Sequence, residues 1–95
     1  MRARNIKPGF FINEQLAECS LAARLLFIGL WLIADREGRL EYREKRIKAE
    51  VFPYDNIEVA PLVSELAREG LVVEYEVGGT AYLWITGFKN GKSTI

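Results

Sequence analysis

Ser20-Leu21-Ala22-Ala23-Arg24-Leu25-Leu26-Phe27-Ile28-Gly29-Leu30-Trp31-Leu32-Ile33-Ala34-Asp35 is the stretch from which the rest of the chain can be ordered. From Leu25 to Ala34 it carries no charge. The Ser20 hydroxyl can accept from the first free backbone amides as an N-cap, which starts a helix here. At 3.6 residues per turn Leu21, Leu25, Ile28 and Leu32 share one face, and Leu26, Phe27, Leu30 and Ile33 cover most of the rest. A helix apolar nearly all round is expected to be covered by other elements. The uncharged run is about half the ~20 residues a bilayer span needs, so the expectation is the central helix of a soluble core.

The chain of 95 residues is the length of one domain, 1–95, with 49% apolar and 27% charged residues, an ordinary balance for a globular protein. One cysteine, Cys19, cannot form an internal disulfide, which fits a reducing cytoplasm. The basic start, Met1 to Lys7, leads into a segment too polar for a signal core. Formal charge is zero, but residues 1–50 hold ten Lys/Arg against seven Asp/Glu, and residues 51–95 hold three against six. A polyanion would therefore meet the first half.

Working outward, residues 1–9 read as a basic arm bearing Arg2, Arg4 and Lys7 and ended by the turn signal Pro8-Gly9. Phe10, Phe11 and Ile12 are expected to dock on the core, and Asn13 to cap a short helix running to about Glu18. On the other side, Asp35-Arg36-Glu37-Gly38 stops the central helix with Gly38 left-handed, and 39–42 suits only a short strand. Residues 43–52 are helical in pattern, with Ile47 and Val51 facing in, Lys45 and Lys48 facing away, and Pro53 as terminator. A further helix covers 58–69, with Pro61 in its first turn and Gly70 closing it. Val59, Leu62, Val63, Leu66 and Ala67 would face inward, and Pro61, Ser64, Glu65, Arg68 and Glu69 outward. Residues 71–77 and 80–86 are β-branched and aromatic runs joined by Gly78-Gly79, the pattern of a hairpin with a primed turn. A two-residue loop sets Tyr75 opposite Tyr82 and Val73 opposite Trp84. From Lys89 onward the chain reads as a fraying end.

Helix, helix, short strand, helix, tight turn, helix, hairpin is an α+β order. It is that of a winged helix-turn-helix: a small helical core, a helix-turn-helix pair over 44–69 and a C-terminal β-hairpin wing over 71–86. Arg4-Asn5-Ile6-Lys7-Pro8-Gly9-Phe10-Phe11, Ala23 to Trp31, Ala34-Asp35-Arg36-Glu37-Gly38-Arg39-Leu40 and Lys45 to Asp55 together resemble the N-terminal winged-helix domain of phage and prophage replication proteins. The resemblance covers most of residues 2–88. It implies a DNA-binding domain acting in DNA replication, in the cytoplasm of a bacterial cell or phage-infected host.

Read from the residues alone, Arg43, Lys45, Arg46 and Lys48 on the first helix of the pair and Arg2, Arg4 and Lys7 on the arm are candidates for phosphate contact. Against them, Glu41 and Glu44 lie four residues before Lys45 and Lys48 and can neutralise them as helix-surface pairs. Base readout falls to Ser64 and Arg68 beside Glu65 and Glu69, and carboxylates repel the DNA backbone. Duplex DNA is the expected ligand rather than single strands; a homodimer or a replication-protein partner is a further possibility, and no membrane partner is expected. Tyr75, Tyr82 and Trp84 are expected to pack in the core of the hairpin, with stacking on single-stranded bases as the alternative. The rival function is a protein-interaction or dimerisation module using the acidic helix 58–69 and the wing.

Enzyme chemistry finds no support. Cys19 has no histidine to activate it, and one cysteine without histidine leaves no usual zinc site, so neither cofactor nor metal is expected. Gly91-Lys92-Ser93 lacks the glycine five positions earlier that a phosphate loop requires, because Thr86 stands there.

Overall fold

The structure, a computed structural model, describes residues 1–88. The fraying end and the Gly91-Lys92-Ser93 segment lie outside the described residues. Within them the chain forms α1 (Gly9–Ile12), α2 (Glu14–Ala17), α3 (Leu21–Ile33), β1 (Arg39–Glu41), α4 (Glu44–Val51), α5 (Val59–Arg68), β2 (Val72–Val77) and β3 (Thr80–Ile85). These five helices and three antiparallel strands make one compact α+β body with a radius of gyration of 12.4 Å. Sheet order is β1-β3-β2, so the strand between the helices pairs with the far arm of the hairpin.

Both N-caps form as the sequence suggests: the Ser20 hydroxyl accepts from Ala23 N–H at 3.1 Å, and the Asn13 side chain accepts from Leu16 N–H at 2.9 Å. The central helix stops earlier than expected, at Ile33 with an extended Ala34 as its C-cap, and Gly38 is the left-handed residue, with φ of +81°, of the following turn, where its N–H donates to the Asp35 carbonyl at 3.0 Å. Gly78 and Gly79 take φ of +58° and +83°, the two left-handed residues that a type I′ hairpin turn requires and that a side chain would strain. The turn sets the register as expected, with Tyr75 opposite Tyr82 and Val73 opposite Trp84.

The expected cover of α3 nearly all round does not form. Ala23, Leu26, Phe27, Leu30 and Trp31 are buried, whereas Leu21 is 77% and Leu25 51% exposed and Ile28 and Leu32 are only half-buried. The remaining elements cover α3 from one side, so the stripe of leucines points outward. Phe27 stacks on Phe10 at 6.4 Å, and Trp31 sets its edge to Phe27 and Phe88 at 6.0 and 6.4 Å. Phe10 alone of its trio docks, since Phe11 and Ile12 are exposed.

Gly29 explains how closely α3 and α4 approach: a Cβ there would lie 2.4 Å from a Val51 methyl. On α4, Ile47 is buried and Val51 half-buried, Lys45 is exposed and Lys48 half-exposed, which bears out the expected phase. On α5, Val59, Leu62, Val63 and Leu66 are buried, but Ala67, at the rim of the apolar arc, is exposed.

The sheet buries Leu40, Val72, Leu83 and Ile85 against the helices. Alternation along each strand therefore turns Tyr75, Tyr82 and Trp84 to the outer face, where all three are half-exposed. Expected packing of these aromatics in the core is overturned; Tyr75 and Tyr82 instead stack on each other at 5.6 Å, and Trp84 Nε1–H donates to the Glu37 carbonyl at 3.0 Å.

Candidate nucleic-acid interface

α4 is short and polar on its outer side, and its 100° step per residue divides its cations between two flanks. Arg43, at the N-cap position, and Arg46 line a groove of about 280 Å³ bounded by the end of α3, β1 and the N-terminal segment. Arg2 and the amino-terminal Met1 line the same groove, as does Arg39. Lys45 and Lys48 line a different groove, of about 530 Å³, with Glu44, Ile57 and the start of α5. Exposed Ala49 lies between the flanks, so α4 is a ridge with cations down both sides.

Acidic partners temper each groove. In the first, Arg39 pairs with Asp35 at 3.5 Å and Arg46 with Glu50 at 4.0 Å, and Glu41 also lines the wall. Both pairs are exposed enough to be weak and screened by salt. The expected pairing of Glu41 with Lys45 is not available on a helix surface, because Glu41 belongs to β1. Tyr42 sits between strand and ridge, where burial first, then Glu44 and Glu74, pushes its phenol up to about 12.

The other expected contacts divide. Lys7 is exposed on the N-terminal segment, and Ser64 and Arg68 are exposed on α5. Arg4 is withdrawn from the set: its guanidinium donates to the Trp31 carbonyl and lies 5.0 Å over the Phe88 ring. Arg2 N–H donates to the Leu32 carbonyl at 3.0 Å, which leaves its side chain exposed. The N-terminal segment is therefore no free arm; it satisfies carbonyls that the last turn of α3 cannot bond internally. Its last residue, Gly9, already belongs to α1.

Glu65 is likewise withdrawn from the repelling carboxylates on α5. It accepts from Ser20 N–H and hydroxyl at 2.7 and 2.9 Å, and the backbone hydrogen bond, more than any other influence, holds its carboxyl below the ordinary range. What remains exposed on α5 is Pro61, Ser64, Ala67 and Arg68, with the exposed Glu58 and the half-exposed Glu69 at its two ends. Arg39 is the cation that the sequence reading missed. Its signal was the alternation of a short strand, where the neighbours of buried Leu40 must face out.

Cys19 is buried, and burial first, then Glu65 and Glu69, pushes its thiol up, opposite to the shift that makes a reactive thiolate. Among the described residues no group of three or more Cys, Asp or Glu could hold a metal ion, and no helix is long and apolar enough to cross a membrane. No family model, curated protein or solved structure matches the chain.

Proposed function

We propose that this chain is a winged-helix domain that binds duplex DNA mainly through its phosphates, as a cytoplasmic, non-enzymatic part of a phage-type replication protein. The convergence of Arg2, Arg43 and Arg46 with Arg39 on one groove, and of Lys45 and Lys48 on the other flank of the same helix, carries the reading. A duplex laid across α4 meets cations on both sides of the ridge, and each neutralised phosphate releases counterions. Support for the fold comes from the order of elements, the β1-β3-β2 sheet and the α4–α5 pair. The replication context rests on the resemblance carried by residues 2–88. Ser64 and Arg68 offer the little base contact α5 can make, so sequence preference is low.

Fluorescence anisotropy on random duplex DNA across a salt series tests this. With about four to six phosphates engaged, the slope of log affinity against log salt is about −4 to −5. Arg43→Ala with Arg46→Ala, and separately Lys45→Ala with Lys48→Ala, should each lower that slope by about two without changing sequence preference. No binding at low salt, or slopes unchanged in both double variants, would sink the proposal. The rival interaction module finds its best support in the uncovered leucines of α3 rather than in the acidic residues of α5 and the hairpin.

A further inference from the structure

The outward stripe of α3 is spaced four, three, four: Leu21, Leu25, Ile28, Leu32. That is the alternation of core positions in a heptad, but here Leu21 and Leu25 lie on the side of the helix turned away from the protein's own core, and Ile28, at the margin of the stripe, also packs against that core. Leu21 and Leu25 are mostly exposed, Ile28 and Leu32 half so. No charge interrupts the stripe. Neighbouring Arg24 folds back onto α2, donating to the carbonyls of Leu16, Ala17 and Cys19 at 2.9 to 3.1 Å, which keeps its guanidinium off the seam.

The spacing is also a palindrome. Turned end over end about a point between Leu26 and Phe27, the stripe maps onto itself, so that Leu21 meets Leu32 and Leu25 meets Ile28 of a second copy. A two-fold interface must be self-complementary in this way. We infer that α3 pairs with α3 of a second copy of this chain, antiparallel, through these four side chains.

The size of the contact sets its strength. A 13-residue helix is about 20 Å long and about 10 Å wide, so each copy contributes on the order of 200–400 Å², below the roughly 800 Å² of a standard stable interface. The pair is therefore a weak dimer, dependent on concentration, rather than an obligate one.

Sedimentation equilibrium of the full chain tests this directly. The average mass should rise from 10.8 kDa toward twice that value as concentration increases from about 10 µM to 1 mM, the range of a small interface. Leu25→Glu, at an exposed position, should keep the thermal melt of the dilute protein and hold the mass at that of the monomer throughout. For the orientation, cysteines are introduced in a Cys19→Ala background. Leu21→Cys with Leu32→Cys should form intermolecular disulfides under mild oxidation. Leu21→Cys alone should not, because an antiparallel pair separates the two copies of residue 21 by about 16 Å along the helix. A wild-type mass that stays monomeric at 1 mM overturns the proposal and leaves the stripe for a different partner. Undiminished association of Leu25→Glu also overturns it, as does ready cross-linking of Leu21→Cys alone.

Discussion

Glu65 on α5 holds the first turn of α3 by accepting from both the N–H and the hydroxyl of Ser20, at 2.7 and 2.9 Å. The same hydroxyl accepts from Ala23 N–H, so an N-cap within one helix becomes a tie between two. A carboxylate at this end also meets the positive pole of the helix. Hydrogen bonds from neutral donors to a charged acceptor are the stronger kind, so Glu65→Ala is expected to cost about 1–2 kcal/mol.

The pH dependence of this tie has a definite sign. The Glu65 carboxyl is held below its ordinary value of 4.5, so the folded state binds its proton less readily than the unfolded chain. Its contribution is complete above that ordinary value and is lost as pH falls through the lower folded one. Melting temperatures of wild type and Glu65→Gln should differ at pH 7 and converge at acid pH. A constant gap down to pH 2 would remove the ionic character of the tie.

On α3, burial separates leucines that are neighbours in sequence. Leu26→Ala or Leu30→Ala opens a cavity in the core and is expected to cost about 2–5 kcal/mol. Leu25→Ala should change the stability of the monomer by no more than about 0.5 kcal/mol, as exposed positions do. Denaturant midpoints measured on dilute protein check both. Equal losses at Leu25 and Leu26 would mean that the helix is rotated from its described phase.

Alanine normally stabilises a helix interior over glycine by about 1 kcal/mol, yet Gly29→Ala is expected to destabilise by about 1–3 kcal/mol. The added Cβ would meet Val51 atoms at 2.4 and 2.8 Å, and a β-branched side chain has little freedom to move aside. Combining it with Val51→Ala should restore most of the loss. A neutral or stabilising Gly29→Ala would show that α3 and α4 are less close.

Arg4 separates stability from binding. Arg4→Ala removes the hydrogen bond to the Trp31 carbonyl and the contact over Phe88, for an expected loss of about 1–2 kcal/mol. Its salt slope on duplex DNA should match that of wild type, whereas Arg2→Ala should lower the slope by about one and leave the melt unchanged. The reverse pattern would return Arg4 to the interface.

Local rules were sufficient for much of this architecture. Ser20 and Asn13 announce helix starts by side-chain chemistry that reaches only three residues along the chain, and Gly78-Gly79 specifies a turn that in turn specifies which residues of the hairpin face each other. The phase of α4 was legible because Ile47 and Val51 are its apolar residues at helical spacing, leaving one choice of inner face. α3 gave no such choice. It has two apolar stripes, and periodicity finds both without ranking them; which one is buried depends on where α1, α4, α5 and the hairpin stand. The aromatics of the sheet carry the same ambiguity, because Tyr82 and Trp84 alternate with Leu83 and Ile85 and either set could fill a core. Charges are least legible of all. Arg4 and Glu65 look like free surface ions in sequence, and their partners, Trp31 and Ser20, are 27 and 45 residues away, so their roles arise only when folding brings unsatisfied helix ends within hydrogen-bond reach.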